Sequence, residues 1–157
     1  MGHFVPALLI GLFATASKAG AVDNSLGTWK LNVKKSTYAP GPLPYRSLIM
    51  VRELAEGGVK TTITAEGIDG TRMKISYTGK YDGIPVSVPG TGFPSDTISM
   101  KQLDANTFAS ERQKPGGKYH TQGRFFVSNG GRTMTNILHG TDADGRAMTA
   151  TVVYERQ

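Results

Sequence analysis

Residues 59–81 read VKTTITAEGIDGTRMKISYTGKY, and the fold is decided by this stretch. In its second half Met73, Ile75, Tyr77, Gly79 and Tyr81 alternate with Arg72, Lys74, Ser76, Thr78 and Lys80. Alternation of apolar and polar residues with period two is the pattern of a strand with one buried face. The first half repeats it, with Val59, Thr61, Ile63 and Ala65 set against Lys60, Thr62, Thr64 and Glu66. Between the halves stands Gly67-Ile68-Asp69-Gly70, whose glycines and aspartate tolerate the positive φ of a hairpin reversal. The stretch therefore predicts two antiparallel strands joined by a tight turn.

The same grammar runs outward in both directions. Further reversals fall at Glu56-Gly57-Gly58, Asp82-Gly83, Asp104-Ala105-Asn106, Pro115-Gly116-Gly117, Asn129-Gly130-Gly131 and Asp142-Ala143-Asp144-Gly145. Strands are predicted over residues 28–33, 46–54, 97–103, 107–114, 119–128, 133–139 and 147–156, with a short piece near 84–88. In the last full strand Met148, Ala150, Val152 and Tyr154 share one face. Strands joined by tight turns pair antiparallel with their neighbours, and closure removes the edges that would otherwise template aggregation. The predicted class is all-β: an up-and-down antiparallel meander closing into a barrel of eight to ten strands. Such a barrel holds either packed side chains or one small ligand.

Length and composition set the limits. At 157 residues the chain predicts one domain. Residues 1–21 have the features of a signal peptide, with an apolar run from Phe4 to Ala16 and a small-x-small site at Ala19-Gly20-Ala21, although Lys and Arg are missing from the start. Cleavage would leave residues 22–157 as a single exported domain, periplasmic or secreted, without a stable membrane anchor. Lys18 leaves with that leader, so the formal charge falls from +6 to +5. With no cysteine, disulfides, thiolate chemistry and Cys-based metal sites are excluded. The basic residues stand singly along the strands, as at Arg72, Lys74, Lys80, Lys101, Arg112 and Arg124, which predicts a solvated cationic surface and no nucleic-acid partner.

Two stretches break the rhythm. Residues 35–44 read KSTYAPGPLP, whose prolines forbid a regular helix or central strand. Residues 88–94 read VPGTGFP, a Gly/Pro loop with one exposed-looking aromatic, Phe93; it reads as an ordinary crossover or as a lid. The inventory of chemical groups is short. His120 shares a face with Gln122 and Arg124, His139 stands near a strand end, and spacing assigns neither a catalytic partner. Asp142-Ala143-Asp144-Gly145 opens like a calcium loop, but the twelfth position is Val153 where a bidentate Glu is required, so it reads as a turn. Glu111 alternates with Ala109 against Phe108, Ser110 and Arg112, and with Phe108 inward Glu111 is solvated. No metal site or cofactor is expected from these motifs, and they leave any catalytic residue unknown.

Gly27-Thr28-Trp29-Lys30-Leu31-Asn32, followed by Lys35-Ser36, Tyr38 and Pro40-Gly41-Pro42, resembles small exported bacterial proteins of lipocalin-like, calycin-type fold, a largely uncharacterised group. The likeness extends loosely through Asp82-Gly83-Ile84-Pro85-Val86 to Val153-Tyr154. It implies a Gly-x-Trp at the start of the first strand, with Trp29 plugging the closed end of the barrel and Arg156 of the last strand packed across the indole. It implies a fold and an export route, and no activity.

Three functions are compatible with this reading. The leading one is a carrier holding a small apolar or amphipathic molecule, with Met73, Ile75, Tyr77 and Tyr81 as the lumen candidates. A structural or envelope-interaction protein with a filled barrel is the second. The third is an enzyme, an isomerase, lyase or hydrolase working through a luminal Tyr, His or carboxylate, for which a fold alone is no support.

Overall fold

The computed structural model describes residues 21–157. The leader expected over residues 1–21 therefore lies outside the described residues, Ala21 excepted. Twelve strands follow in chain order: β1 (Gly27–Leu31), β2 (Thr37–Ala39), β3 (Tyr45–Ala55), β4 (Gly58–Gly67), β5 (Arg72–Gly79), β6 (Val86–Ser87), β7 (Gly90–Thr91), β8 (Thr97–Gln102), β9 (Thr107–Gln113), β10 (His120–Ser128), β11 (Thr133–Thr141) and β12 (Ala147–Arg156). Val33–Lys35 form a single 3-10 turn, and no α-helix occurs among the described residues. No helix among them is long and apolar enough to cross a membrane.

Every ladder is antiparallel, and eleven strands form one sheet curled into a half-barrel, in the order β6-β8-β9-β10-β11-β12-β1-β3-β4-β5-β7. The β4–β5 hairpin is the register unit on which the rest is built. Ile63 faces Ile75 and Ala65 faces Met73, while the turn closes through Gly67 N–H to Thr71 O at 2.8 Å. The Asp69 carboxylate accepts the Thr71 amide at 2.9 Å, which lets so short a reversal satisfy its own backbone. The inner face of β5 is fully buried, with Met73 at 3%, Ile75 at 1% and Tyr77 at 6% exposure.

The first and last strands meet in the middle of the sheet. β1 pairs with β12 on one side, Trp29 opposite Arg156, and with β3 on the other, Trp29 opposite Met50. The sheet's two edges instead lie mid-chain. β6 pairs with β8 through Val86–Ile98 and Ser87–Thr97, whereas β7 pairs with β5 through Lys74–Thr91 and Ile75–Gly90. Only Val88 and Pro89 separate these edge strands in the chain. Residues 82–97 carry three prolines and three glycines, and missing donors and backbone entropy keep both edge strands at two residues.

Two stretches read as irregular are tied in more firmly than their composition suggests. Thr37–Ala39 adds a strand to β12, Tyr38 opposite Ala150, before the prolines end it. Phe93 is half-buried and packs against the core, and Gly90–Thr91 beside it pairs with β5.

The interior is densely filled. Phe108 and Phe125 stack with ring centres 4.7 Å apart, and Tyr81 tilts against Phe108 at 5.2 Å. All five methionines among the described residues, Met50, Met73, Met100, Met134 and Met148, are buried there. Unbranched thioethers fill irregular gaps and repack readily.

Candidate functional site

The two ends of the sheet have different chemistry. At one end Trp29, fully buried, donates its indole N–H to Ser25 O at 2.8 Å. Arg52 points inward beside it at 3% exposure. Its guanidinium donates to Ser25 Oγ and Thr61 Oγ1 at 3.1 Å each and to Tyr81 Oη at 2.8 Å, and stands 5.0 Å from the Phe125 ring centre. Tyr81 Oη in turn donates to Asp23 Oδ2 at 2.5 Å, and Asp23 Oδ1 accepts from Ser25 N and Oγ. The buried cation is thus matched to a carboxylate through two hydroxyls. This end is a satisfied polar plug.

The opposite end is open. A vestibule of about 370 Å³ is lined by Tyr38, Tyr45, Tyr119 and Met73, with Gly92 and Pro94 on one side and Asp69, Asp142, Asp144 and Arg146 around the rim. Burial pushes the Tyr45 phenol up to about 12, and its tyrosine neighbours add to that against the opposing pull of Arg112. Burial also raises Tyr38. Asp142 is held below the usual carboxylate range, first by the Arg146 amide and then by that of Asp144, both at 2.9 Å, with the Arg146 guanidinium adding a charged contact at 3.0 Å. Asp142-Ala143-Asp144-Gly145 is therefore a rim turn closed on its own arginine.

Between the ends remains a void of about 30 Å³, lined by Met50, Ile63, Tyr77, Met100, Tyr154, Asn136 and Arg112 among others. That is room for a water and far below the several hundred Å³ of a small-molecule pocket. Two of its polar atoms have no partner: Arg112 Nε and Asn136 Oδ1 are both buried and unbonded. Burial pushes Tyr154, beside them, up to about 12.

The lumen candidates separate accordingly. Met73 lines the vestibule, Tyr77 lines the small void, Ile75 is packed in the core and Tyr81 belongs to the plug at the far end. Two inward arginines were missed by reading basic residues as surface charge. Alternation with Phe108 and Ser110 carried the signal for Arg112, and alternation with Leu48 and Met50 carried it for Arg52.

A third concavity, about 590 Å³, lies on the outer face of β8–β11 and is lined by Lys101, Glu111, Gln122, Arg124, Ile137 and His139 among others. Beside it His120 donates Nε2–H to Glu111 Oε1 at 2.6 Å across the β9–β10 pair, and this bond, seconded by Gln113, holds the Glu111 carboxyl low. Among the described residues no group of three or more His, Asp or Glu side chains is placed to hold a metal ion. Neither a protein-family model nor a curated protein matches the chain.

Proposed function

We propose that this chain is an exported, lipocalin-like barrel that binds a small amphipathic molecule at its tyrosine-lined mouth. In this reading the half-barrel is closed along residues 86–91, which pair at their start with β8 and at their end with β5. The kinship is with the small bacterial lipocalin-like proteins that Gly27-Thr28-Trp29 resembles.

The observation that carries the reading is the vestibule. Its 370 Å³ lies within the range of small-ligand pockets, and it combines three amphipathic tyrosines with the soft Met73. The methionine-filled interior below supports a site that deepens on binding, since thioethers repack at low cost. The ligand lies against aromatic and apolar surface, gaining roughly 25 cal/mol for each Å² of apolar area removed from water before entropic costs. The test is native mass spectrometry of the protein exported under its own signal and purified without detergent, with methyl NMR of its methionines. A retained mass of a few hundred daltons, lost together with a shift of the Met73 methyl signal, is expected.

A filled envelope-interaction protein is the second reading, favoured by the 30 Å³ interior void. It is preferred if the bare chain emerges and no methionine signal responds to amphiphiles.

A further inference from the structure

We propose that Arg112 is the head-group anchor of this site and that its ligand is a small monocarboxylate with a flat apolar body. This rests on the binding reading above and narrows it to one ligand class.

The two inward arginines make the contrast. Each guanidinium nitrogen of Arg52 has an acceptor, and its charge is matched through Ser25 and Tyr81 to Asp23. Arg112, on the same inner face as Phe108 and Ser110, has no carboxylate within ion-pair distance among the described residues. Its Nε is buried with no acceptor, and Oδ1 of Asn136, a residue only 6% exposed, is buried with no donor; Arg112 and Asn136 line the same void. A partly buried guanidinium without a counter-charge is a costly arrangement that a folded chain does not keep for stability. A carboxylate supplies the missing charge and two in-plane acceptors, which match the guanidinium fork. Asn136 adds a polar wall whose open acceptor suits a water held with the head group.

The path to this site runs past Phe93. Its ring centre is 5.9 Å from the Arg112 guanidinium carbon, and its chain neighbours Gly92 and Pro94 line the vestibule. Withdrawal of that ring joins the vestibule to the partly buried guanidinium, so an apolar body rests among Tyr38, Tyr45 and Tyr119 while its carboxylate reaches Arg112. The rim argues for a single negative charge. Asp69, Asp142 and Asp144 outnumber Arg146 around the opening, which disfavours phosphates and other polyanions far more than a monoanion.

The experiment compares two probes of the same shape, 2-naphthaleneacetate and 2-naphthaleneacetamide, titrated calorimetrically into the purified chain and into Arg112→Met. Wild type is expected to bind the acid about tenfold or more tightly than the amide, the scale of one charged hydrogen-bonded pair. Arg112→Met is expected to erase that preference, weakening the acid far more than the amide. Equal binding of acid and amide by wild type, or a preference that survives Arg112→Met, overturns the anchor and leaves the vestibule reading standing. If neither probe binds and no methionine methyl signal moves, both readings fall. The wild-type comparison stands without the variant, and Arg112→Lys, which keeps the charge and loses the fork, is expected to retain a reduced preference if Arg112→Met does not fold.

Discussion

The guanidinium carbon of Arg156 stands 4.2 Å from the centre of the Trp29 ring, and the two residues are register partners across β12 and β1. The same guanidinium donates to three backbone carbonyls, Gly131 O at 2.6 Å, Leu26 O at 2.7 Å and Asn24 O at 2.8 Å. One side chain thus clasps the segment before β1 to the turn before β11. The glycine of Gly27-Thr28-Trp29 has a physical reason in this clasp. Its φ is +130°, and a Cβ there would land on Arg156 Nη1.

Arg156→Ala is expected to lower stability by about 1–2 kcal/mol, combining an exposed cation–π contact with lost hydrogen bonds to carbonyls. Urea denaturation followed by fluorescence measures it, and Trp29, the only tryptophan, reports this site alone. Unchanged stability with unchanged emission would remove the contact from the account.

Tyr81→Phe should cost about 1–3 kcal/mol, because the hydroxyl both accepts from Arg52 and donates to Asp23 in a buried network. The double variant with Asp23→Asn is expected to cost less than the sum of the two single changes, as for residues sharing one network. Strict additivity in denaturation midpoints would argue against a shared network.

Tyr45, Tyr81 and Tyr154 are each pushed up to about 12, mainly by burial, from an ordinary value of 10.0. The unfolded chain releases these phenol protons first, so stability is full below pH 10 and is lost as pH rises from 10 towards 12. Denaturation curves across that window, read beside phenolate absorbance, test the sign. A stability that stays flat there would contradict it.

Gly90→Ala should loosen the pairing of β7 with β5. Gly90 has φ +144°, and a Cβ there would strike Lys74 O and the Ile75 backbone on β5. The expected loss is about 1–3 kcal/mol. Amide exchange should quicken in β5 and β7 and stay slow in β10–β12. Protection unchanged at Ile75 would mean that β7 is not held as described.

His120→Ala should raise the Glu111 carboxyl towards its ordinary value, since the His120 bond is the first cause holding it low. The carboxylate's contribution is present at neutral pH and fades as pH falls through its depressed titration. Both side chains are more than a third exposed, so the stability change should stay within about 1 kcal/mol. A carboxyl-carbon NMR titration that does not move on substitution would remove His120 as the cause.

Much of this molecule is legible because its rules are local. The hairpin of residues 59–81 needs only alternation and a glycine-rich reversal, and the inner faces of β4, β5 and β12 follow from the same count. Alternation also sorts Glu111 from Arg112, once Phe108 is taken as inward. The pairing of the two edge strands was not legible, since residues 84–94 are too rich in proline and glycine for periodicity to show which neighbour each half takes. Nor was the pairing of Thr37–Ala39 with β12, where three prolines masked a strand of only three residues.

By itself the sequence determined an all-β antiparallel chain, the face each residue of its regular strands presents, and the positions of the reversals, all of which depend on neighbours one or two places away. Only the tertiary structure decided which distant groups meet. Arg52 and Arg112 carry the same signal in sequence, an arginine on an apolar face. One finds Ser25, Thr61 and Tyr81, and the other finds Phe93 and an unbonded asparagine. The difference arises from the curl of the sheet, which brings strands far apart in the chain to one interior and leaves one arginine satisfied and the other open.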